Sequence, residues 1–355
     1  MNKKRRVWGA LVLALVLVMA ACSSGDDDTT TSAASDDGAT TTAGDGGATT
    51  TAGADATTTT GDGGQVSQTG FSFDLIFHDA DASGTFWGVM KVGFDDACDV
   101  YGVSCTMIGD PDITKQAALV DTSIANQVDG IILTLPNVDA LRDAIQRAAD
   151  AGIPVVTINS GSDVFATTLA IGHAGQDEFI AGQGAGARLA AEGATNILCP
   201  IHEANNSALQ ARCAGVEAGA VGATVRQVQI DIANLDAAFE TLKTEVSDAS
   251  VDAVITLNPD VSIRARDAIA EAGSSAMLAT FDLGEEVLNS IEAGTILFAV
   301  DQQQYLQGHL PVIALVLNIQ NGHVIGGGNA ILTGPGFVDS SNVAQVKDGV
   351  AAQTR

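Results

Sequence analysis

Polar side chains that could meet a small molecule recur in this sequence where short apolar runs end. Asp79 and Asp81 follow FSFDLIF, Asn159 follows PVVTI, and His202, Asn205 and Asn206 follow NILCPI. Asn258-Pro259-Asp260 follows DAVITL, Asp282 follows AMLATF, and Asp301-Gln302 follows ILFAV and opens the segment DQQQYLQG. Amides both donate and accept hydrogen bonds and carboxylates accept them, so such a set suits a ligand rich in hydroxyls. It does not suit bond-making. No G-x-S-x-G, HExxH or Walker pattern occurs, the five histidines (78, 173, 202, 309, 323) are scattered, and no CxxC or Cys/His spacing suggests zinc. No catalytic residue, metal or cofactor is expected.

The elements that must position these residues alternate. Apolar, β-branched runs of five to seven residues, among them GIILTL (130–135) and PVVTIN (154–159), are each followed by a helical pattern such as VDALRDAIQRAADAG (138–152). Strand–helix alternation predicts parallel sheets flanked by helices, an α/β fold. So many strands exceed one comfortable open sheet, which predicts two lobes. Ligands in such sheets bind beyond the carboxyl ends of the strands, where the amides and carboxylates stand. GQGAGA (182–187) fits G-x-G-x-x-A on paper, but it lies inside a helical pattern beginning near Gln176 rather than directly after a strand. Its small residues are therefore read as close helix packing.

The order FHDADASGTFWGVMKVGFDDACD, DGIILTLPNVDALRDAIQRAADAGIPVVTINSGSD, SALQARCAGV, ITLNPD, ATFDLG, FAVDQQQYLQG resembles the sugar-binding proteins of ABC importers. More narrowly it is similar to the type I periplasmic-binding-protein family of ribose and galactose binders, over roughly residues 70–340. That resemblance implies two Rossmann-like lobes joined by a multi-crossover hinge and closing on ligand. The first lobe would hold 69–172 plus 303–323, the second 173–302 plus 324–355.

It also implies ligand contacts. Phe86-Trp87 matches the aromatic pair that stacks on the sugar, and Asn159 stands where ribose binders carry an aspartate. Arg212 matches the arginine that grips sugar oxygens, with a surface pairing to Glu217 as the alternative. Asn258 and Asp282 match the family's asparagine and aspartate, although either could instead cap the following helix. Gln302 matches a ligand-reaching glutamine, while Gln303 and Gln304 would start the returning helix. The first loop fits less well: Gly84 supplies no side chain, so His78, Asp79 or Asp81 would substitute, with Asp81 the choice. Pro311 should kink or loosen the returning helix.

The ends agree with an exported protein. Lys3, Lys4, Arg5 and Arg6 precede an apolar run from Val7 to Ala21, the pattern of a signal peptide over 1–21. Met19-Ala20-Ala21-Cys22 resembles a bacterial lipobox, which implies lipidation at Cys22 and a tether to the outer face of the membrane, in the periplasm or cell-wall space. Residues 22–68, nearly all Ser, Thr, Asp, Gly and Ala, cannot bury enough apolar surface to order themselves and read as a stalk. A net charge of −27 repels phosphate backbones and excludes nucleic acid.

In an oxidising exterior, Cys98, Cys105, Cys199 and Cys213 can pair in three ways. The sequence-local choice, Cys98–Cys105 and Cys199–Cys213, is preferred over free thiols. The expected protein is a monomeric binder of a monosaccharide or sugar alcohol, partnered by an ABC permease and ATPase. A sensing lobe for a membrane receptor or kinase is the alternative, and a secreted enzyme the least favoured.

Overall fold

The computed structural model describes residues 68–355. The expected leader, lipidated Cys22 and the stalk up to residue 67 lie outside the described residues.

The described residues begin with β1 (Ser72–Phe77), α1 (Thr85–Tyr101), β2 (Ser104–Gly109), α2 (Ile113–Ala125), β3 (Gly130–Thr134), α3 (Val138–Asp150), β4 (Val155–Ile158) and β5 (Gly172–Gly175). The second run is α4 (Glu178–Ala191), β6 (Asn196–Ile201), α5 (Ser207–Gly219), β7 (Thr224–Gln229), α6 (Leu235–Val246) and β8 (Ala253–Thr256). It continues with α7 (Pro259–Ala272), β9 (Met277–Phe281), α8 (Glu285–Glu292) and β10 (Phe298–Asp301). The chain ends with α9 (Gln304–Asn321), β11 (Ile331–Leu332), β12 (Gly336–Asp339) and α10 (Val343–Ala351).

Two six-stranded sheets form, in the orders β11-β5-β4-β3-β1-β2 and β12-β10-β9-β8-β6-β7. All their pairings are parallel except β10 with β12. Both faces of each sheet are covered by helices, so β3 and β4 are buried along their whole length and read as continuous apolar runs. The two-lobed α/β architecture agrees with the sequence.

The crossovers differ from the expected bounds. β5 and β11 both belong to the first sheet, so the chain leaves that lobe after Gly175 rather than at 172 and returns to the second only after Leu332 rather than at 323. The reason is compositional. β5 reads GHAG, without a β-branched residue, and β11 has two residues, so neither carries a strand signature. Between these two passages the chain also crosses at Gln302–Gln303, because α9 packs on α1 of the first lobe, where Gly93 and Gly308 let the two backbones touch. α9 runs unbroken through Pro311.

Gly182 and Gly186 of α4 face the backbone of Arg212 and Val216 on α5, where a Cβ would lie 2.1 and 2.2 Å from their carbonyl oxygens. GQGAGA is thus a close-packing seam. The expected disulfides are present: Cys98–Cys105 joins α1 to β2, and Cys199–Cys213 joins β6 to α5.

Candidate functional site

The carboxyl ends of both sheets face one another across a cavity of about 970 Å³. Asp81, Phe86, Trp87, Asn159, Arg212, Asn258, Asp282 and Gln302 all lie on its wall, with His78, Asp79, His202, Glu203, Asn205 and Asn206. Asp301 does not. Its carboxylate accepts from Arg355 Nε at 2.9 Å and from the backbone N–H of Gln303 at 2.8 Å, so it is a fixture of the crossover.

At the hinge end, Asn159 follows β4 and Asp282 follows β9, and both take the left-handed backbone conformation, with φ of 62° and 71°. Asn and Asp tolerate that region better than other side chains, which is why they can turn inward directly off a strand. Gln302 lies between them, fully buried. Its Nε2 donates to Asp282 Oδ1 at 2.7 Å, and its Oε1 accepts from Gln307 Nε2 at 2.9 Å and from Asn159 Nδ2 at 3.4 Å. Gln304 Nε2 also donates to Asp282 Oδ1, at 3.1 Å. One glutamine therefore links the strand-end residues of both lobes.

Arg212, 3 % exposed, is not paired with Glu217. Its Nε and Nη2 donate to the two oxygens of Glu178 at 2.6 and 3.1 Å, Nη1 donates to Leu257 O at 3.3 Å, and the guanidinium lies over the Phe281 ring. Burial opposes its charge, but Glu178, Asp282 and Glu203 outweigh that and raise its pKa. Asp282 Oδ2 sits 3.9 Å from Nη1. Burial pushes the Asp282 carboxyl up to about 7, against the pull of Arg212 and the Gln302 hydrogen bond.

Asn258 and Asn206 serve twice. Asn258 Oδ1 caps α7 by accepting from Asp260 N at 2.8 Å, which leaves its NH₂ group for the cavity. Asn206 Oδ1 caps α5 at Ala208 N, 3.0 Å, while its Nδ2 donates to Glu203 Oε2 at 2.7 Å. Asp81 is exposed and accepts from the backbone and hydroxyl of Ser83, which lowers its pKa. It shapes its own loop as well as lining the cavity.

The aromatic pair divides. Trp87 is 8 % exposed, donates from Nε1 to Asp79 Oδ2 at 3.0 Å, and packs against Phe77 and His78. Phe86, half-buried and edge-on to Trp87, offers the more open ring. The lobes touch at the rim: Ser207 N–H donates to Pro136 O at 3.1 Å, Ser160 Oγ lies 3.3 Å from Asn206 Oδ1, and Asn206 Nδ2 donates to His78 Nε2 at 3.3 Å.

Sequence reasoning missed Glu178 and Glu203. Glu178 is the first residue of α4, and nothing in the local sequence ties it to Arg212. Glu203, in the polar run HEANN, could have been found by counting every polar residue after β6.

Residues 76–322 match the profile of the periplasmic binding protein domain. A carbohydrate transporter from Acidothermus cellulolyticus 11B, solved in complex with myo-inositol, is 38 % identical, with a TM-score of 0.78 over 81 % of this chain and 100 % of that one. The xylose/arabinose-binding protein XylF of Sulfolobus acidocaldarius is 23 % identical over 291 residues, 77 % of this chain and 72 % of that protein. The myo-inositol binding protein of Caulobacter shares the fold at 19 % identity and a TM-score of 0.69, over 79 % of this chain and 97 % of that one.

Proposed function

The chain belongs to the periplasmic binding protein family and is a solute-binding protein, not an enzyme; from that premise we propose that it captures a polyhydroxylated ring, a monosaccharide or cyclitol, and delivers it to an ABC importer. The observation that carries this reading is the meeting of directional hydrogen-bonding groups from both lobes at Gln302, in a cavity that Phe86 also lines with a half-buried ring. Asn159, Arg212, Asn258, Asp282 and Gln302 bind the hydroxyls, and Phe86, backed by Trp87, takes the C–H face of the ring. Asp81 closes the mouth. Because these groups are divided between lobes, the closed form alone satisfies them together, and ligand shifts the population toward it. The protein acts as a monomer tethered through a lipid on Cys22, with the stalk spacing the folded part from the membrane.

Thermal-shift and calorimetric titration of the mature chain against myo-inositol, xylose, arabinose, glucose and galactose tests the reading. A ligand at a hundred times its Kd stabilises the native state by about 2.7 kcal/mol and raises the midpoint. Myo-inositol comes first, since a 38 % identical relative was solved in complex with it. A shift with an amino acid or nucleoside and with no carbohydrate or polyol would overturn the sugar assignment. Replacing Cys22 by Ala should release the protein from membranes into the soluble fraction; a variant still membrane-bound would contradict the lipid anchor.

A further inference from the structure

The cavity spans four neighbouring strands of the first sheet and five of the second. On the first lobe it is lined from loops after β4 (Asn159), β3 (Asn137), β1 (His78) and β2 (Ile113), neighbours in the sheet order. At roughly 4.8 Å per strand that succession covers about 14 Å. On the second lobe it runs from Gln302 after β10 to Ile232 after β7, the outermost strand, or about 19 Å by the same spacing. A six-membered ring with its hydroxyls is on the order of 7 Å across from covalent bond lengths. One ring at the hinge meets Asn159, Asp282 and Gln302 and reaches Arg212, Asn258 and Phe86 from the adjoining strand ends, which leaves the outer part of the cavity, at the ends of β2 and β7, for more.

Further closure does not remove the outer part. The rims are in contact through Ser207 and Pro136, and a side chain added at Gly284 would meet Thr85 of the first lobe at 3.2 Å. With the rims in contact the cavity still measures about 970 Å³ and stays open to solvent at its mouth, near the upper end of the ~300–1,000 Å³ typical of small-molecule pockets. Its outer part has its own character: Pro111 and Ile113 from one lobe and Ile232 and Ala233 from the other line it, at the ends of the outermost strands β2 and β7. Carboxylates at Asp112, Asp260 and Glu203 line the same cavity, and the one arginine on its wall, Arg212, is held by Glu178.

We propose that the ligand is a two-ring polyol, a glycoside whose first ring sits at the hinge and whose second, uncharged or amino-bearing, lies between Ile113 and Ile232. This rests on the polyol reading above and extends it. A phosphorylated or carboxylated second ring meets three carboxylates and is rejected.

The mature chain is titrated calorimetrically with single rings (myo-inositol, galactose, xylose, glucose) and with two-ring glycosides built from them (galactosyl-myo-inositol, lactose, xylobiose, maltose). At least one glycoside is expected to bind roughly tenfold or more tightly than each of its component rings. Ile232→Trp, which fills the outer part, should bring that ratio close to one. A single ring that binds as tightly as every glycoside containing it overturns the two-ring inference and leaves the polyol reading standing. Binding by neither class overturns both. A wild-type preference that Ile232→Trp leaves intact, in a variant with the parent's melting temperature, removes the outer part from the site and overturns the inference as well.

Discussion

Glu178 holds Arg212 through both carboxylate oxygens, at 2.6 and 3.1 Å, although 34 residues separate them in the chain. Both side chains are 4 % exposed, so the pair is a buried charge balance as well as a positioning device. It fixes the guanidinium plane and leaves Nη1 directed toward Leu257 O and Asp282.

Glu178→Gln should therefore be costly. Removing one member of a buried ion pair leaves an uncompensated charge and typically costs about 3–5 kcal/mol. Urea unfolding should show a lower midpoint at unchanged slope. A loss below about 1 kcal/mol would mean that Arg212 finds another partner and that the pair does not set its position.

Asp282 should give the protein a pH-dependent stability of defined sign. Its carboxyl titrates at about 7 when folded because burial disfavours the charge, and near 3.9 in an unfolded chain. Between those values the folded state binds a proton that the unfolded state does not, so stability falls as pH rises through that window. Asp282→Asn removes the contribution. The stability of the wild type minus that of the variant should decline from about pH 4 to pH 7 and stay flat on either side. A difference that rises with pH would show an ionised Asp282 paired to Arg212 instead.

Strand ends were the legible part of the site. A left-handed Asn or Asp after an apolar run, or an Asn before Pro-Asp, marks a side chain that either caps a helix or turns into the cleft, and Asn258 does both. What local sequence lacks is the partner of each group. Glu178 meets Arg212 only because glycines bring α4 and α5 into backbone contact, a relationship visible only once both helices are packed. Aromatic neighbours cannot be ranked by type either: Trp87 is drawn into the core by Asp79 and Phe77, and Phe86 is left more open. The lobe bounds slipped for a related reason. β5 (GHAG) is a strand because β4 and β11 pair with it on either side, although its own residues have little β-propensity, and β11 is too short at two residues to show a strand pattern.

Gly308→Ala should disturb stability and binding together. A Cβ at 308 would sit 2.0 Å from Met90 O, so α9 would have to move off α1. Overpacking of this kind costs about 1–3 kcal/mol. The same shift displaces Gln304 and Gln307, which hold Asp282 and Gln302, so ligand affinity should weaken by more than the general loss of stability explains. A variant with wild-type Kd and a lower urea midpoint would show that α9 supports the fold without positioning the hinge amides.

The Cys199–Cys213 disulfide should matter more to the site than Cys98–Cys105. It closes a 14-residue separation between β6 and α5, and Arg212 is the residue beside its second cysteine. Closing a loop of that size is worth about 3 kcal/mol in the chain-entropy account, slightly more than the shorter loop, with its 7-residue separation, contributes. Cys199→Ala/Cys213→Ala should therefore lower the urea midpoint and also weaken ligand binding, because the helix carrying Arg212 loses its covalent register to the sheet. Cys98→Ala/Cys105→Ala should lower stability with little change in Kd, since that bridge lies at the far end of α1 from Phe86 and Trp87. Equal effects of the two double variants on Kd would mean that α4 and Glu178 suffice to place Arg212 without the disulfide.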